Sequence, residues 1–258
     1  KRIKNPIKFR MIPLPSARII FAKKWHQMPT RFSLVGMNAQ PAELSKTIAD
    51  QNKALAQAMG DPESKPALRG LSHKYAAMIS FAFTAAVLWR AEPGLDWLAG
   101  FMSLGSITAL FAVSGAYHTI NWHPEVRVWM RRVDHTMIFV CIAGIYTGYA
   151  LLLLKSPLSQ NLVAVFWVAT VLGGFFKLVW VMAPRMLSTI LYIGVSWSGM
   201  LIYAELETFI GTQAIGAMLG TGIILSIGAI FYALAWPGKN AKYFGYHEIF
   251  HLTVIGHL

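Results

Sequence analysis

Charge is scarce in this chain of 258 residues: 13% are charged, with only 11 Asp and Glu, whereas 55% are hydrophobic. A soluble domain of this length carries about twice that share of charge. An ordinary water-soluble fold is thereby excluded, and a bilayer becomes the main solvent to consider. The mean hydropathy of +0.49 agrees. Cysteine is almost absent: Cys141 stands alone in an apolar run, so no internal disulfide can form. No signal peptide of the usual form precedes the first apolar run. The first residue is Lys1, which points to processing or to a fragment of a longer precursor.

Positive charge is what the chain does have. The net charge of +12 would suggest a nucleic-acid partner if it were spread evenly, but 14 of the 23 Lys and Arg lie within the first 74 residues. That asymmetry fits a membrane protein with one basic side and argues against nucleic acid. Residues 1–70 form a basic extramembrane extension, irregular at first around Pro6, Pro13, Pro15 and Pro29. Within it, residues 41–59 (PAELSKTIADQNKALAQAM) predict a helix ended by Gly60 and Pro62. Leu44, Ile48, Leu55 and Met59 give that helix one narrow apolar stripe, suited to a surface helix or to an interfacial or partner-binding one.

Residues 71–258 predict an all-α polytopic membrane domain with seven transmembrane helices. Apolar runs long enough to cross a bilayer fall near 73–91, 97–120, 133–154, 161–182, 186–205 and 210–236. The last starts near His247 and holds twelve residues to Leu258, too few to span about 30 Å of hydrocarbon. Either the chain continues or that helix is incomplete. With this topology 20 Lys and Arg fall on the amino-terminal side and only Arg90 and Lys155 on the other. The amino terminus is therefore expected inside, in the cytosol or the mitochondrial matrix. Lys177 sits near enough to the inner end of its segment to snorkel. Gly144 with Gly148, and Gly216 with Gly220, have the GxxxG spacing of close helix packing.

Topology and histidine positions together locate the chemistry. Segment two ends at the inner face with His118, segment three starts there with Asp134, and segment seven starts there with His247 and His251. The latter two are four apart, so they share a helix face and can reach one metal, with His118 as third ligand. Three neutral imidazoles with an open position are the donor set of a catalytic zinc. Asp134 is placed to hydrogen-bond the metal's water or orient a ligand, or else to cap segment three. Ser114, one turn before His118, acts likewise or packs between helices. His73, His123 and His135 also lie near the inner face and are left outside the ligand set. His247 to His251 also reads HExxH, the metalloprotease signature with Glu248 as base. An intramembrane enzyme of that kind needs an aspartate followed by glycine as its third ligand, and no Asp-Gly pair occurs here.

At these residues the chain resembles the haemolysin III branch of the progestin and adiponectin receptor (PAQR) family. The match runs through SGAYHTINWHPEVRVWMRRVDHTMIFVCIAGIYTGYALLLL (Ser114 to Leu154), FGYHEIFHL (Phe244 to Leu252) and, more weakly, GLSHKYAAM at the start of segment one. It covers roughly residues 70–258. The resemblance implies a seven-helix fold holding zinc on the cytosolic side through residues matching His118, His247 and His251, with those matching Asp134 and Ser114 close by. It also implies links to lipid signalling and to ceramidase-like amide hydrolysis. Gly148 stands where the family usually has proline, and the basic extension is unlike compact bacterial members. That extension makes a mitochondrial inner membrane or other organellar setting an expectation.

Three functions remain open on this reading. One is a zinc-dependent membrane hydrolase acting on a lipid amide or ester, with membrane lipids as its partners. Another is a structural subunit of a larger membrane complex that keeps the zinc for folding and meets protein partners through residues 1–70. A receptor that senses a ligand is the third.

Overall fold

The computed structural model describes residues 66–153, 155–180, 184–237 and 241–258. Residues 1–65, most of the basic extension over 1–70, lie outside the described residues, and with them the helix expected over 41–59. So does any test of partners that would use them.

Helix α1 (Leu71–Arg90) and helix α2 (Leu95–Thr119) form an antiparallel pair joined by a short turn at Gly94. Helix α3 (Pro124–Leu152) and helix α4 (Pro157–Val179) both open on proline, whose missing N–H costs nothing in a first turn. Ser156 caps α4 by accepting from the Ser159 N–H at 3.2 Å. The Glu205 carboxylate secures the same end from across the bundle, accepting from the backbone N–H groups of Lys155 (2.6 Å) and Ser156 (2.8 Å). Helix α5 (Arg185–Trp197) tightens into a 3-10 turn at Ser198–Ile202 and leads into helix α6 (Tyr203–Leu234). A last helix, α7, covers Tyr246–His257. No strand occurs among the described residues.

Among the described residues, five stretches are long and apolar enough to cross a membrane: Leu71–Arg90, Leu95–Thr119, Glu125–Leu152, Pro157–Lys177 and Arg185–Leu234. The fifth is 50 residues long, more than twice what about 30 Å of hydrocarbon needs. Gly211 breaks it with φ 80° and ψ 160°, values outside the helical region. Helix α3 starts nine residues before the expected segment at 133, because Pro124–Arg132 is helical without being apolar.

Two apolar cores hold the bundle. Ala143, Tyr146, Leu162, Phe166, Ile202, Leu206 and Ile215 join α3, α4, the 3-10 turn and α6. Leu110, Phe111, Cys141 and Val254 join α2, α3 and α7. Large apolar side chains also cover the outside: Ile79, Val171, Leu172 and Phe175 are exposed, and Trp89 is 90% exposed. Such an outer surface suits hydrocarbon, which imposes no cost on exposed apolar groups while every backbone group stays paired inside a helix.

The two GxxxG pairs behave differently. A Cβ at Gly144 would collide with Ser106 and the Met102 carbonyl, and one at Gly148 would meet Ser103 Oγ at 2.8 Å, so this pair lets α2 and α3 touch. Gly216 and Gly220 face open space among the described residues, so the packing expected there is not made.

Candidate metal centre

The last turn of helix α2 carries His118, which is buried. Helix α7 starts beside that turn and carries His247 and His251, one turn apart and hence on one side. The three ring centroids form a compact triangle with sides of 4.6 Å (His118–His247), 5.0 Å (His118–His251) and 4.5 Å (His247–His251). One nitrogen from each ring lies within 4.8 Å of the other two, close enough for all three to hold one metal ion. His118 Nε2 and His247 Nε2 stand 3.1 Å apart. Two nitrogens bound to one tetrahedral zinc at 2.0–2.1 Å would be about 3.4 Å apart, so the donor set fits that ion with a small adjustment. His251 keeps a buried ring nitrogen, Nδ1, without a hydrogen-bond partner, and such an atom is costly unless a further contact satisfies it.

Asp134 comes to this cluster from α3. Its Oδ2 lies 3.9 Å from His118 Nε2 and 3.6 Å from His135 Nδ1. The alternative role as a cap for segment three is ruled out, because α3 begins at Pro124 and Asp134 is well inside it. Ser114, buried on α2, neighbours the Asp134 carboxylate. His135 turns its Nδ1 to the Arg131 carbonyl at 2.8 Å, and His123 is an exposed residue just before α3.

A cavity of about 440 Å³ adjoins the cluster. Ser114, Asp134, His247 and His251 line one part of it. Ile142, Ile145, Met200, Met218, Leu225 and Val254 give it an apolar wall. Tyr232, whose ring lies 5.3 Å from that of His247, also lines it.

The structure corrects one reading, removes the base from another already set aside, and adds two residues. Glu248, the glutamate of HExxH, does not face the cavity: it pairs with Arg69 and accepts from the Gly245 N–H at 2.7 Å. The metalloprotease reading therefore lacks its base. Lys177 does not snorkel; it is buried, donates to Ser188 Oγ and sits 5.9 Å from the Tyr192 ring. The additions are Arg69 and His73, both in contact with the start of α7. His73 had a visible signal, a histidine at the end of an apolar segment like the other three. Arg69 had none, since its partner lies 179 residues away.

Comparison with known proteins agrees with this architecture. The family described as Haemolysin-III related matches residues 63–258. Hemolysin-3 of Bacillus cereus is 32% identical over 151 residues, 58% of this chain and 66% of that protein. The Hemolysin-3 homolog of Bacillus subtilis (strain 168) is 28% identical over 189 residues, 72% of this chain and 85% of that protein. No solved structure matches.

Proposed function

Since the chain belongs to the Haemolysin-III related family, we propose that it is a zinc-binding integral membrane hydrolase that cleaves a lipid amide or ester. The observation that carries this reading is the three-histidine cluster with Asp134 beside it at the edge of an apolar cavity. His118, His247 and His251 would hold the ion through neutral imidazole nitrogens, a donor set suited to zinc. Held by these three histidines with an open position, zinc would acidify water and polarise a carbonyl. The residues of the chain do the rest. Asp134 Oδ2 accepts a proton beside the cluster and passes it to the leaving nitrogen or oxygen, with Ser114 orienting the carboxyl group. The apolar wall binds an acyl chain and keeps bulk water from the reacting bond.

In this reading Arg185–Leu234 crosses the bilayer twice, parting at Gly211, and α7 starts the seventh crossing. The amino terminus and the metal share the cytosolic or matrix side, and the basic extension favours an organelle such as the mitochondrion, at its inner membrane. A structural subunit that retains zinc is the alternative. Its support comes from the extension, which lies outside the described residues, whereas the cavity beside the cluster favours the hydrolase.

The test is metal content of the purified protein by mass spectrometry, next to a His247→Ala, His251→Ala double variant, followed by hydrolysis of a lipid-amide and lipid-ester panel. One zinc per chain, lost in the variant, and a cleaved substrate are expected. Zinc without cleavage of any member overturns the hydrolase, and absence of zinc overturns the metal site as well.

A further inference from the structure

The geometry points to residues 69–73 as the device that positions the metal ligands, with Arg69 and His73 as positioning residues. This rests on the metal reading above.

The short run that leads into α1 touches all three candidate ligands or the turn that carries them. It first docks by backbone: the N–H groups of Ala67 and Leu68 donate to the carbonyls of Lys242 (3.0 Å) and Tyr243 (3.4 Å), just before α7. Arg69 then pairs with Glu248, which stands between the two histidines of α7. Both side chains are largely buried, 16% and 4% exposed. Gly70 follows against His118, so close that a Cβ there would collide with that of the histidine. His73 completes the contact. Its ring lies flat on His251, with centroids 3.8 Å apart and planes 8° from parallel, and its Nε2 is 3.3 Å from the His251 carbonyl oxygen. The Phe111 ring meets His73 edge-on at 5.1 Å.

These contacts act on the orientation of α7. The rotation of α7 about its axis is set by what grips it from the neighbouring elements. Successive residues are about 100° apart around a helix, so the two histidines keep their aim only while Glu248 keeps its own. Arg69 grips the carboxylate from outside α7 and so fixes that rotation, while the Gly245 N–H, at the helix's own N-cap, holds the carboxylate in place on α7. The flat stack of His73 then limits how far the His251 ring can turn. Partners of this kind around a metal's ligands are worth about 10- to 100-fold in metal affinity. The arrangement also explains why a motif with the HExxH spacing holds a glutamate that does not act as a base here.

The experiment is zinc affinity by competition with a chromophoric chelator, together with the visible absorption spectrum of the cobalt(II)-substituted protein. It is run on the full chain in detergent, for wild type, Arg69→Ala, Arg69→Lys, His73→Ala and His73→Phe. Both alanine variants should bind zinc about 10- to 100-fold more weakly, with a changed cobalt spectrum. Arg69→Lys, which keeps the charge on Glu248, and His73→Phe, which keeps a ring on His251, should recover most of the affinity. If an alanine variant does not fold, Arg69→Gln or His73→Leu takes its place in the comparison. Wild-type affinity and an unchanged spectrum in all variants, even with lowered melting temperatures, would make these contacts mere packing and overturn the inference. So would a loss as large in the lysine and phenylalanine variants as in alanine. A wild-type protein that binds neither metal overturns the metal reading itself, a result visible before any variant is made.

Discussion

Replacing Gly70 by alanine should damage both the fold and the metal site through one methyl group. Gly70 has φ +80°, in the left-handed region, where an L side chain costs about 1–2 kcal/mol. Space adds to that cost. The new Cβ would overlap His118 Cβ and lie 3.4 Å from the His118 carbonyl carbon, so relief requires moving the backbone that carries a candidate ligand. Thr119 Cγ2, at 3.3 Å, limits movement on the other side. The strain alone predicts a loss of about 1–2 kcal/mol, which is a factor of about 5–30 in the folded-to-unfolded ratio. Shifting His118 should lower zinc affinity further. The control is Gly216→Ala, at a helical position with nothing within 4 Å of its Cβ, where alanine should be neutral or stabilising by up to about 1 kcal/mol. Thermal unfolding in detergent and zinc competition read both variants side by side. The reasoning is refuted if Gly70→Ala melts and binds zinc as wild type does, or if the two variants fall together.

Two further outcomes follow from the packing. Gly144→Val should lower the melting temperature far more than Gly220→Val, because only the first drives a side chain into Ser106 and the Met102 carbonyl; equal melting temperatures would refute the α2–α3 contact. Met218→Trp should fill part of the cavity of about 440 Å³ and raise KM for long-chain lipid substrates while zinc content stays at the wild-type value. An unchanged KM across chain lengths would show that the acyl chain binds elsewhere.

The spanning helices were legible because hydrocarbon thickness imposes a length on apolar runs, and α1, α2 and α4 fall within a few residues of expectation. The start of α3 was not, since Pro124–Arg132 is helical but polar, and apolar run length carries no signal there. The histidine cluster was legible through topology, which brought helix ends to one depth. Its support was hidden, because the pairs Arg69–Glu248 and His73–His251 join positions almost 180 residues apart. The two GxxxG pairs show the limit of a spacing rule: the same pattern marks a contact at Gly144 and open space at Gly216, and only the neighbouring helix decides. Lys177 shows another limit. A lysine near a helix end can reach outward or inward, and Ser188 on the next helix settles it.

The separation of the ligands also sets a timetable. His118 and His247 stand 129 residues apart, with the second near the start of the last described helix. At translation rates of about 5–20 residues per second, His118 enters the membrane roughly 6 to 26 s before its partner is synthesised. During that interval the three-histidine cluster is incomplete. Any metal that the proposed centre takes up is therefore captured only after His251 has been made, so a filled centre would report that the helices between residues 118 and 251 are in place.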